Sequence, residues 1–125
     1  QAKNISAVAV NKKNKETSRL NYMEKLRVGF TLRENPIAEA GKKQIYMRVI
    51  RPDSLVISTS SDNLFEYNGN QMIYSATRTI DYLNQDIDVT IWLDNTGDFV
   101  AGNYSAEVYL DGVIIGKTTF ILTKR

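Results

Sequence analysis

The stretch from residue 102 to residue 122, GNYSAEVYLDGVIIGKTTFIL, constrains the fold more than any other part of the chain. Between Tyr104 and Asp111 apolar and polar residues alternate, which is typical of a strand with one buried face and one solvated face. Asp111 and Gly112 follow as a pair that tolerates positive φ and turns a strand back on itself. The stretch therefore predicts two antiparallel strands joined by a short turn.

The register of this hairpin follows from the side chains of its second strand. A plain two-residue turn would bury Lys117 and expose Phe120, and this is costly because a slip of one residue exchanges the two faces. One extra residue corrects the register, either as a G1 bulge at Gly112 or as a bulge nearer Gly116. We therefore predict a bulged hairpin in which Lys117 faces solvent. The side chains predicted to face inward are Ile114, Phe120 and Leu122.

Other segments of the chain show the same alternation or carry turn signals. Asn68-Gly69, between arms rich in aromatic residues, is the strongest short hairpin signal. We find no convincing period of 3.6 residues, so no helix is predicted, and residues 34–42 are predicted to be a loop. The predicted strands cover residues 4–10, 20–33, 43–51, 55–58, 64–74 (as a hairpin), 87–93, 104–111 and 113–123, and residues 75–84 carry no clear pattern.

The number and spacing of these strands predict an all-β fold. Seven to nine short strands joined by Gly, Pro, Asn and Asp turns are typical of an antiparallel sandwich or barrel. A chain of 125 residues with 42% hydrophobic content can bury one core, so we expect a single domain over residues 1–125. No apolar run approaches the roughly 18 residues of a membrane span. Because the chain begins at Gln1 without a leader, we expect a mature chain or a fragment whose targeting segment, if any, is missing.

Cysteine and histidine are both absent from the sequence. Their absence excludes disulfide scaffolds, thiolate nucleophiles, the usual zinc sites and imidazole-based catalysis. We therefore expect no enzyme activity and no cofactor. The net charge is only +2, but lysine and arginine are concentrated in residues 1–52 and the acids in residues 53–125. We expect strands from the two halves to interleave, so that the charges cancel locally.

The penultimate predicted strand begins with a local signature of one class of sandwich. Gly102-Asn103-Tyr104 follows an irregular loop, and AGNYSAEVYLDGVIIGKTTFIL resembles the last two strands of immunoglobulin-like or fibronectin-III-like modules of bacterial envelope and secreted proteins. The segment RVIRPDSLVI is similar to the central hairpin of the same modules. This resemblance favours a sandwich over a barrel. It also implies a tyrosine corner, in which the Tyr104 hydroxyl bonds back to upstream backbone, and it gives Gly112 a structural role in the turn.

The same resemblance implies a function class and a location. Such modules are accessory or adhesive, carry no catalytic residues, and often form the C-terminal domain of an exported protein, so we expect a periplasmic or extracellular location. The sequence differs from antibody domains because it lacks their two cysteines. Trp92 also falls on the opposite parity from Ile91 and Leu93, so it is not placed like the buried tryptophan of those domains.

Two groups of acidic residues contain the residue types that a metal site or a hydrolytic site needs. The run from Asp94 to Asp98, with Asp86 and Asp88 nearby, resembles half of a calcium loop, since hard cations take carboxylate and amide oxygens. The closing glutamate is missing and the same residues are common in turns, so no metal site is predicted. Asp81 and Asp86, with Asp88, could supply a glycosidase-type carboxylate pair, but the sequence implies no cleft. No catalytic residue is assigned.

Two further binding classes remain open beside a protein-interaction module. A carbohydrate-binding sandwich would need coplanar exposed aromatic residues. The candidates for these are Trp92, Tyr82 and Tyr67. A nucleic-acid or acidic-surface binder would need a basic stripe, and the basic run at residues 12–15 has no interleaved aromatic residue. We expect that run to be a solvated loop, and we predict no nucleic-acid partner.

A protein partner, or a second copy of the chain, is the leading prediction. In an immunoglobulin-like sandwich the strand at 43–51 lies beside that at 103–111, which in turn pairs with 113–123. The outward parities of these strands are rich in tyrosine, arginine and apolar residues, the composition of interface hot spots. The residues predicted to bind the partner are Tyr46, Arg48, Ile50, Glu107, Tyr109 and Ile115, with Arg48 and Glu107 paired in the middle.

Overall fold

The computed structural model describes residues 1–35, 37 and 39–125, and these residues form nine strands and one short 3-10 helix at Leu20–Tyr22. The strands are β1 (Ala2–Val10), β2 (Lys25–Leu32), β3 (Gly41–Ile50), β4 (Leu64–Tyr67), β5 (Asn70–Ile73), β6 (Ala76–Tyr82), β7 (Ile87–Asp94), β8 (Gly102–Leu110) and β9 (Val113–Leu122). Two residues of the predicted loop at 34–42, Pro36 and Ala38, lie outside the described residues.

Two antiparallel sheets pack face to face around one core. One sheet has the order β1-β2-β7 and the other the order β6-β3-β8-β9, while β4 and β5 pair only with each other. The predicted all-β antiparallel sandwich is confirmed. Within the described residues, no helix is long and apolar enough to cross a membrane.

The core is built from strands whose alternate residues point between the sheets. In β2 every second side chain is buried and the intervening ones are partly exposed, which is the predicted period of two. The buried set of this strand is Leu26, Val28, Phe30 and Leu32. Full burial of a large apolar side chain stabilises the fold by about 1.5–3 kcal/mol, so these alternations set the register of each strand.

The hairpin between β8 and β9 contains both a tight turn and a bulge. Asp111 and Gly112 have φ values of 51° and 74°, which is the type I′ geometry of a two-residue turn. The pairing then shifts by one residue, since Tyr109 lies opposite Ile114 but Val108 lies opposite Gly116. Of the two predicted positions for the extra residue, the one near Gly116 is therefore correct.

The position of this bulge corrects two predicted side chains. Ile115 was predicted to face outward but is only 7% exposed, and Ile114 was predicted to face inward but is 40% exposed. The reason is that the extra residue is inserted after Ile114, so the faces exchange only from Gly116 onward. Beyond the bulge the prediction holds, because Lys117 is exposed and Leu122 is buried.

The two open sides of the sandwich are closed in different ways. On one side β1 crosses close to β9, and a Cβ at Gly116 would lie 2.9 Å from the Cβ of Ala2, so glycine permits the approach. On the other side Arg78 belongs to edge strand β6, and its guanidinium donates a hydrogen bond to the carbonyl of Thr90 in β7. A charged side chain that points inward from an edge strand also discourages pairing with another chain.

Three segments differ from the predicted strands. The strand expected from residue 20 begins at Lys25, because residues 20–22 form the 3-10 helix and leave the ring of Tyr22 55% exposed. The unassigned residues 75–84 contain strand β6. Residues 55–58 form no named strand, although an isolated bridge joins Val56 to Ile50.

Tyr104, at the start of β8, forms the corner hydrogen bonds that the resemblance implied. Its hydroxyl donates to the carbonyl of Val100 and accepts from the amide of the same residue, both at 2.7 Å. The ring is 2% exposed and stacks on Phe120 with centroids 4.9 Å apart. Burial raises the pKa of the Tyr104 phenol, so the hydroxyl keeps the proton that it donates.

Basic and acidic halves of the chain meet in the four-stranded sheet. Strand β3 comes from the basic half and lies between β6 and β8 from the acidic half. Lys42 pairs with Asp81 in β6 at 3.1 Å, and Lys43 pairs with Asp111 at the end of β8 at 3.0 Å. The expected interleaving of the two charges is therefore found in this sheet.

Candidate interaction surfaces

The predicted partner-binding residues lie on the outer face of the four-stranded sheet, with one exception. Tyr46 in β3 is directly opposite Tyr109 in β8, and Arg48 is directly opposite Glu107. Ile50 lies at the end of β3 on the same face, opposite Ser105 of β8. Ile115 does not belong to this group, since the bulge turns it into the core. The register thus places four of the six predicted residues side by side.

A short network of polar contacts joins the centre of this face. The carboxylate of Glu107 lies 3.6 Å from the guanidinium of Arg48 and accepts a hydrogen bond of 2.8 Å from the Tyr109 hydroxyl. Arg48 Nε also donates to the carbonyl of Ile73 in β5 at 3.0 Å. Burial, together with the hydrogen bond to Glu107, raises the pKa of Tyr109 to about 12. The tyrosine is therefore a neutral donor at physiological pH.

The hairpin β4–β5 covers this face, so the predicted binding surface is closed by the chain itself. Phe65 of β4 stacks on Tyr46 with centroids 4.7 Å apart and is tilted against Tyr109 at 5.1 Å. Tyr67 meets Tyr109 edge-on at 4.9 Å. As a result Tyr109 is only 4% exposed, which corrects the prediction that this residue is open to a partner. Aromatic pairs of this kind add about 0.5–1.5 kcal/mol each beyond the area they bury.

The outer face of the three-stranded sheet has a different character, and Trp92 lies on its edge strand, β7. Trp92 in β7 is directly opposite Arg27 in β2, which in turn is opposite Val8 in β1. The indole is 43% exposed, and the Lys25 ammonium lies 4.4 Å from its ring centroid. A cation over an aromatic face is a favourable arrangement of about 0.5–1 kcal/mol at an exposed site. We call the row Val8, Arg27 and Trp92, with Lys25, the Trp92 face.

Small residues lie beside this row. Gly29 in β2 is opposite Thr90 on one side and Ser6 on the other, so the next row of the sheet carries little side-chain volume. A Cβ built at Gly29 would meet only the Val89 carbonyl, at 3.9 Å. The indole of Trp92 therefore projects further from the sheet than the small side chains of the neighbouring row. Such a step between a large aromatic residue and small neighbours offers shape for a partner side chain to fill.

The aromatic residues proposed for a carbohydrate platform do not form one. Tyr82 is only 3% exposed and its hydroxyl binds the backbone of Asn35. Tyr67 packs against Tyr109 on the four-stranded sheet, whereas Trp92 lies on the other sheet. These three rings cannot stack on one sugar surface, and that version of the carbohydrate prediction is wrong.

The acidic residues are used separately in local structure. Asp88 accepts a hydrogen bond of 2.7 Å from the Thr31 hydroxyl, and Asp86 accepts one of 2.7 Å from the Glu34 amide. In the loop at 94–98, Asn95 Oδ1 accepts from the Gly97 amide at 3.0 Å, which is an ordinary turn contact. Over the described parts of the chain, no three His, Cys, Asp or Glu residues lie together as a metal site.

The sequence pattern does not predict the exposed position of one aromatic residue, Tyr22. The parity of Tyr22 matches that of Leu26 and Val28 and therefore predicts a place in the strand at 20–33. In the structure Tyr22 lies on the 3-10 helix, beside the basic turn at 11–15. The available signal was Glu24, which breaks the parity between Tyr22 and the strand. The structure therefore brings an aromatic ring to lysines that have no aromatic neighbour in sequence.

Together the two sheets, their outer faces and the covering hairpin define an antiparallel β-sandwich domain with a three-layer region over one sheet. The chain belongs to the family described as a domain of unknown function, DUF8428, whose match covers residues 3–123. No curated protein matches the chain.

Proposed function

We propose that this domain is a non-enzymatic protein-interaction module, and that its partner covers the Trp92 face. The proposal includes the setting that the immunoglobulin-like resemblance implies, a domain of an exported bacterial protein in the periplasm or outside the cell. The Tyr104 corner and the antiparallel sandwich support that resemblance. The separate structural use of Asp86 and Asp88 supports a non-enzymatic role.

The observation that carries the proposal is the contrast between the two outer faces of one molecule. On the four-stranded sheet the aromatic residues Tyr46 and Tyr109 are covered by an aromatic hairpin. On the three-stranded sheet Trp92 is 43% exposed beside Arg27. Tryptophan and arginine are the residues most enriched at binding hot spots, and they act where a partner excludes water. A protein partner would give Trp92 the covering that Tyr109 already has.

The energetic gain from covering Trp92 is large enough to matter. A tryptophan side chain buries up to about 250 Å², so an exposed fraction of 43% leaves about 100 Å² available. At about 25 cal/mol per Å², its burial would contribute about 2–3 kcal/mol to association. That contribution is in the range measured for hot-spot residues. The small residues Gly29 and Ser6 leave space beside the indole for a side chain of the partner.

Site-specific photo-cross-linking tests the proposal in cells that produce the full-length protein. A photoreactive residue replaces Ser6, which is exposed and lies in the row next to Trp92. A matched control carries the same residue at Lys117, which is exposed on the other sheet. We expect one discrete adduct from position 6, none from position 117, and loss of the adduct in Trp92→Ala. The mass of the adduct distinguishes a second copy from another protein.

Two results would overturn the proposed surface. One is an absence of adducts at position 6, and the other is an adduct that persists in Trp92→Ala while the variant keeps the wild-type melting temperature. The export part is tested separately by adding protease to cells whose outer membrane has been opened while the cytoplasmic membrane stays intact. Full protection of the domain there, with cleavage after lysis of all membranes, would contradict a location outside the cytoplasmic membrane.

A further inference from the structure

A groove of about 360 Å³ lies at one end of the sandwich, where the chain passes from β1 to β2. One wall is the turn that follows β1, and the other is the 3-10 helix with the two residues after it. The lining residues are Asn11, Lys12, Lys13, Asn21, Tyr22, Met23 and Glu24. Its volume lies at the low end of the range of small-molecule sites, about 300–1,000 Å³.

Both walls of the groove are held in place by local hydrogen bonds. The side-chain oxygen of Asn11 accepts from the amides of Lys13 and Lys15, at 2.9 and 3.0 Å, which fixes the turn. On the other wall, Met23 is buried and its carbonyl accepts a hydrogen bond of 2.9 Å from the side chain of Asn95. The exposed groups between the walls are therefore presented on ordered backbone, which lowers the entropy cost of binding.

The lysines of this groove differ from those of a second cleft of similar size. That cleft has a volume of about 390 Å³ and lies beside the hairpin, and its lysines, Lys42 and Lys43, are paired with Asp81 and Asp111. Two of its three aromatic residues, Phe65 and Tyr109, are buried. Lys12 and Lys13 are exposed, and no acid of the described residues lies within 4 Å of their ammonium groups. The groove at the end of the sandwich therefore keeps two positive charges for an anionic ligand.

The remaining lining groups narrow the class of ligand. The Tyr22 ring is 55% exposed and offers an apolar face for stacking. The Asn21 amide provides donors and an acceptor, and the Glu24 carboxylate accepts hydrogen bonds from hydroxyl groups. A sugar ring has an apolar C–H face and several hydroxyls, and a carboxylate on that sugar would complement the lysines. We propose that this groove binds an acidic sugar of the uronic acid type.

A nucleic acid fits the same groove less well. Sequence-independent binding of a single strand needs a basic path for successive phosphates and several stacking rings. The groove has one aromatic residue and two lysines, so it offers neither several stacking rings nor a long basic path. A hydroxyl-rich ring instead uses Glu24 as an acceptor. An acidic sugar therefore offers hydroxyl groups to Asn21 and Glu24 and a carboxylate to the two lysines.

Titration followed by amide chemical shifts tests the assignment with small probes on the wild-type domain. The probes are sodium glucuronate, glucose, sodium acetate, inorganic phosphate and a thymidine decamer. We expect saturable shifts with glucuronate, confined to residues 11–15 and 20–24, and binding about fivefold weaker for glucose, which lacks the charge. Raising the salt concentration should weaken glucuronate binding but leave glucose binding unchanged, since salt screens only the charge term.

Matched variants separate the two parts of the site. Tyr22→Ala should weaken both sugars about tenfold, whereas Tyr22→Phe should retain them, because only the ring face is used. Lys12→Gln with Lys13→Gln should reduce glucuronate binding to the level of glucose without affecting glucose. Lys117→Gln, an exposed lysine elsewhere, should change neither. Each variant is first checked for a wild-type amide spectrum outside the groove.

Three results would overturn the proposal. If glucuronate causes no saturable shifts in the two segments, the groove is not a sugar site. Equal binding of acetate or phosphate would show a general anion site without sugar recognition. Tighter binding of the thymidine decamer at the same amides would assign the groove to nucleic acid. None of these results depends on the partner of the Trp92 face, which is tested by cross-linking.

Discussion

Replacing Tyr104 by phenylalanine isolates the contribution of the tyrosine corner. The change removes one oxygen and leaves the ring stacked on Phe120 and tilted against Phe99. What is lost is a pair of 2.7 Å hydrogen bonds, one to the carbonyl and one to the amide of Val100. The variant therefore tests hydrogen bonding with little change in packing.

The expected cost follows from those two bonds. Each intramolecular hydrogen bond contributes about 1 kcal/mol net, and an unsatisfied buried group costs about 1–3 kcal/mol. Val100 is 37% exposed, so water can reach its backbone in part and will replace some of what is lost. We therefore expect Tyr104→Phe to destabilise the domain by about 1–2 kcal/mol.

Urea denaturation measures this cost, with Tyr74→Phe as the matched control. Tyr74 also packs among aromatic rings, but its hydroxyl makes no hydrogen bond to any described residue. With an m-value of about 2 kcal/mol/M, Tyr104→Phe should lower the midpoint by roughly 0.5–1 M, and the control should change stability by less than about 0.5 kcal/mol. Equal midpoints for wild type and Tyr104→Phe, at unchanged m-value, would refute the reasoning.

Two further predictions use other parts of the same sheet. Burial and the hydrogen bond to Glu107 raise the pKa of Tyr109 to about 12, so the folded protein keeps a proton that the unfolded chain loses near pH 10. The free energy of unfolding should therefore fall as the pH rises from about 10 to 12. Tyr109→Phe should make that fall smaller in melting curves recorded at alkaline pH. A fall of the same size in the variant would assign it to other groups. Gly102→Ala should lower the free energy of unfolding by about 2 kcal/mol or more, because the φ of Gly102 is 135° and a Cβ there would lie 2.6 Å from Pro52. Gly112→Ala should lower it by about 1 kcal/mol, because Gly112 has a φ of 74° but no neighbouring atom that a Cβ would meet. Equal melting temperatures for the two alanine variants would show that the Pro52 contact is not the cause.

Strand identity and most registers were predictable because they depend on neighbours close in sequence. The alternation in β7 and β8 and the Asn68-Gly69 turn each report a local backbone geometry, and the structure has all three. The position of the bulge in β9 does not follow from the local pattern, because Gly112 and Gly116 both tolerate the required backbone. What decides it is the crossing of β1 over Gly116, a contact between chain segments more than 100 residues apart.

The 3-10 helix at 20–22 shows a second limit of local patterns. Leu20 and Tyr22 have the parity of the strand that follows, so period alone continues the strand backward. The structure instead turns the chain there, because the amide of Leu20 binds the carbonyl of Thr123 at the far end of the chain. A tertiary hydrogen bond thus overrides a local pattern, and Tyr22 lies at the rim of the groove instead of in the predicted strand.

The covering of Tyr46 and Tyr109 explains why the sequence pattern predicts a partner surface on a sheet face that the chain itself covers. A sheet face that is covered by a hairpin of the same chain has the same residue composition as one that is covered by another protein. Both contain large rigid side chains that exclude water. Composition along β3 and β8 therefore cannot distinguish the two cases. The distinguishing feature is an aromatic hairpin elsewhere in the chain, and residues 64–73 are that hairpin. Because those residues are committed to the four-stranded sheet, they are not available to cover Trp92, and this is why the Trp92 face is the one we assign to a partner.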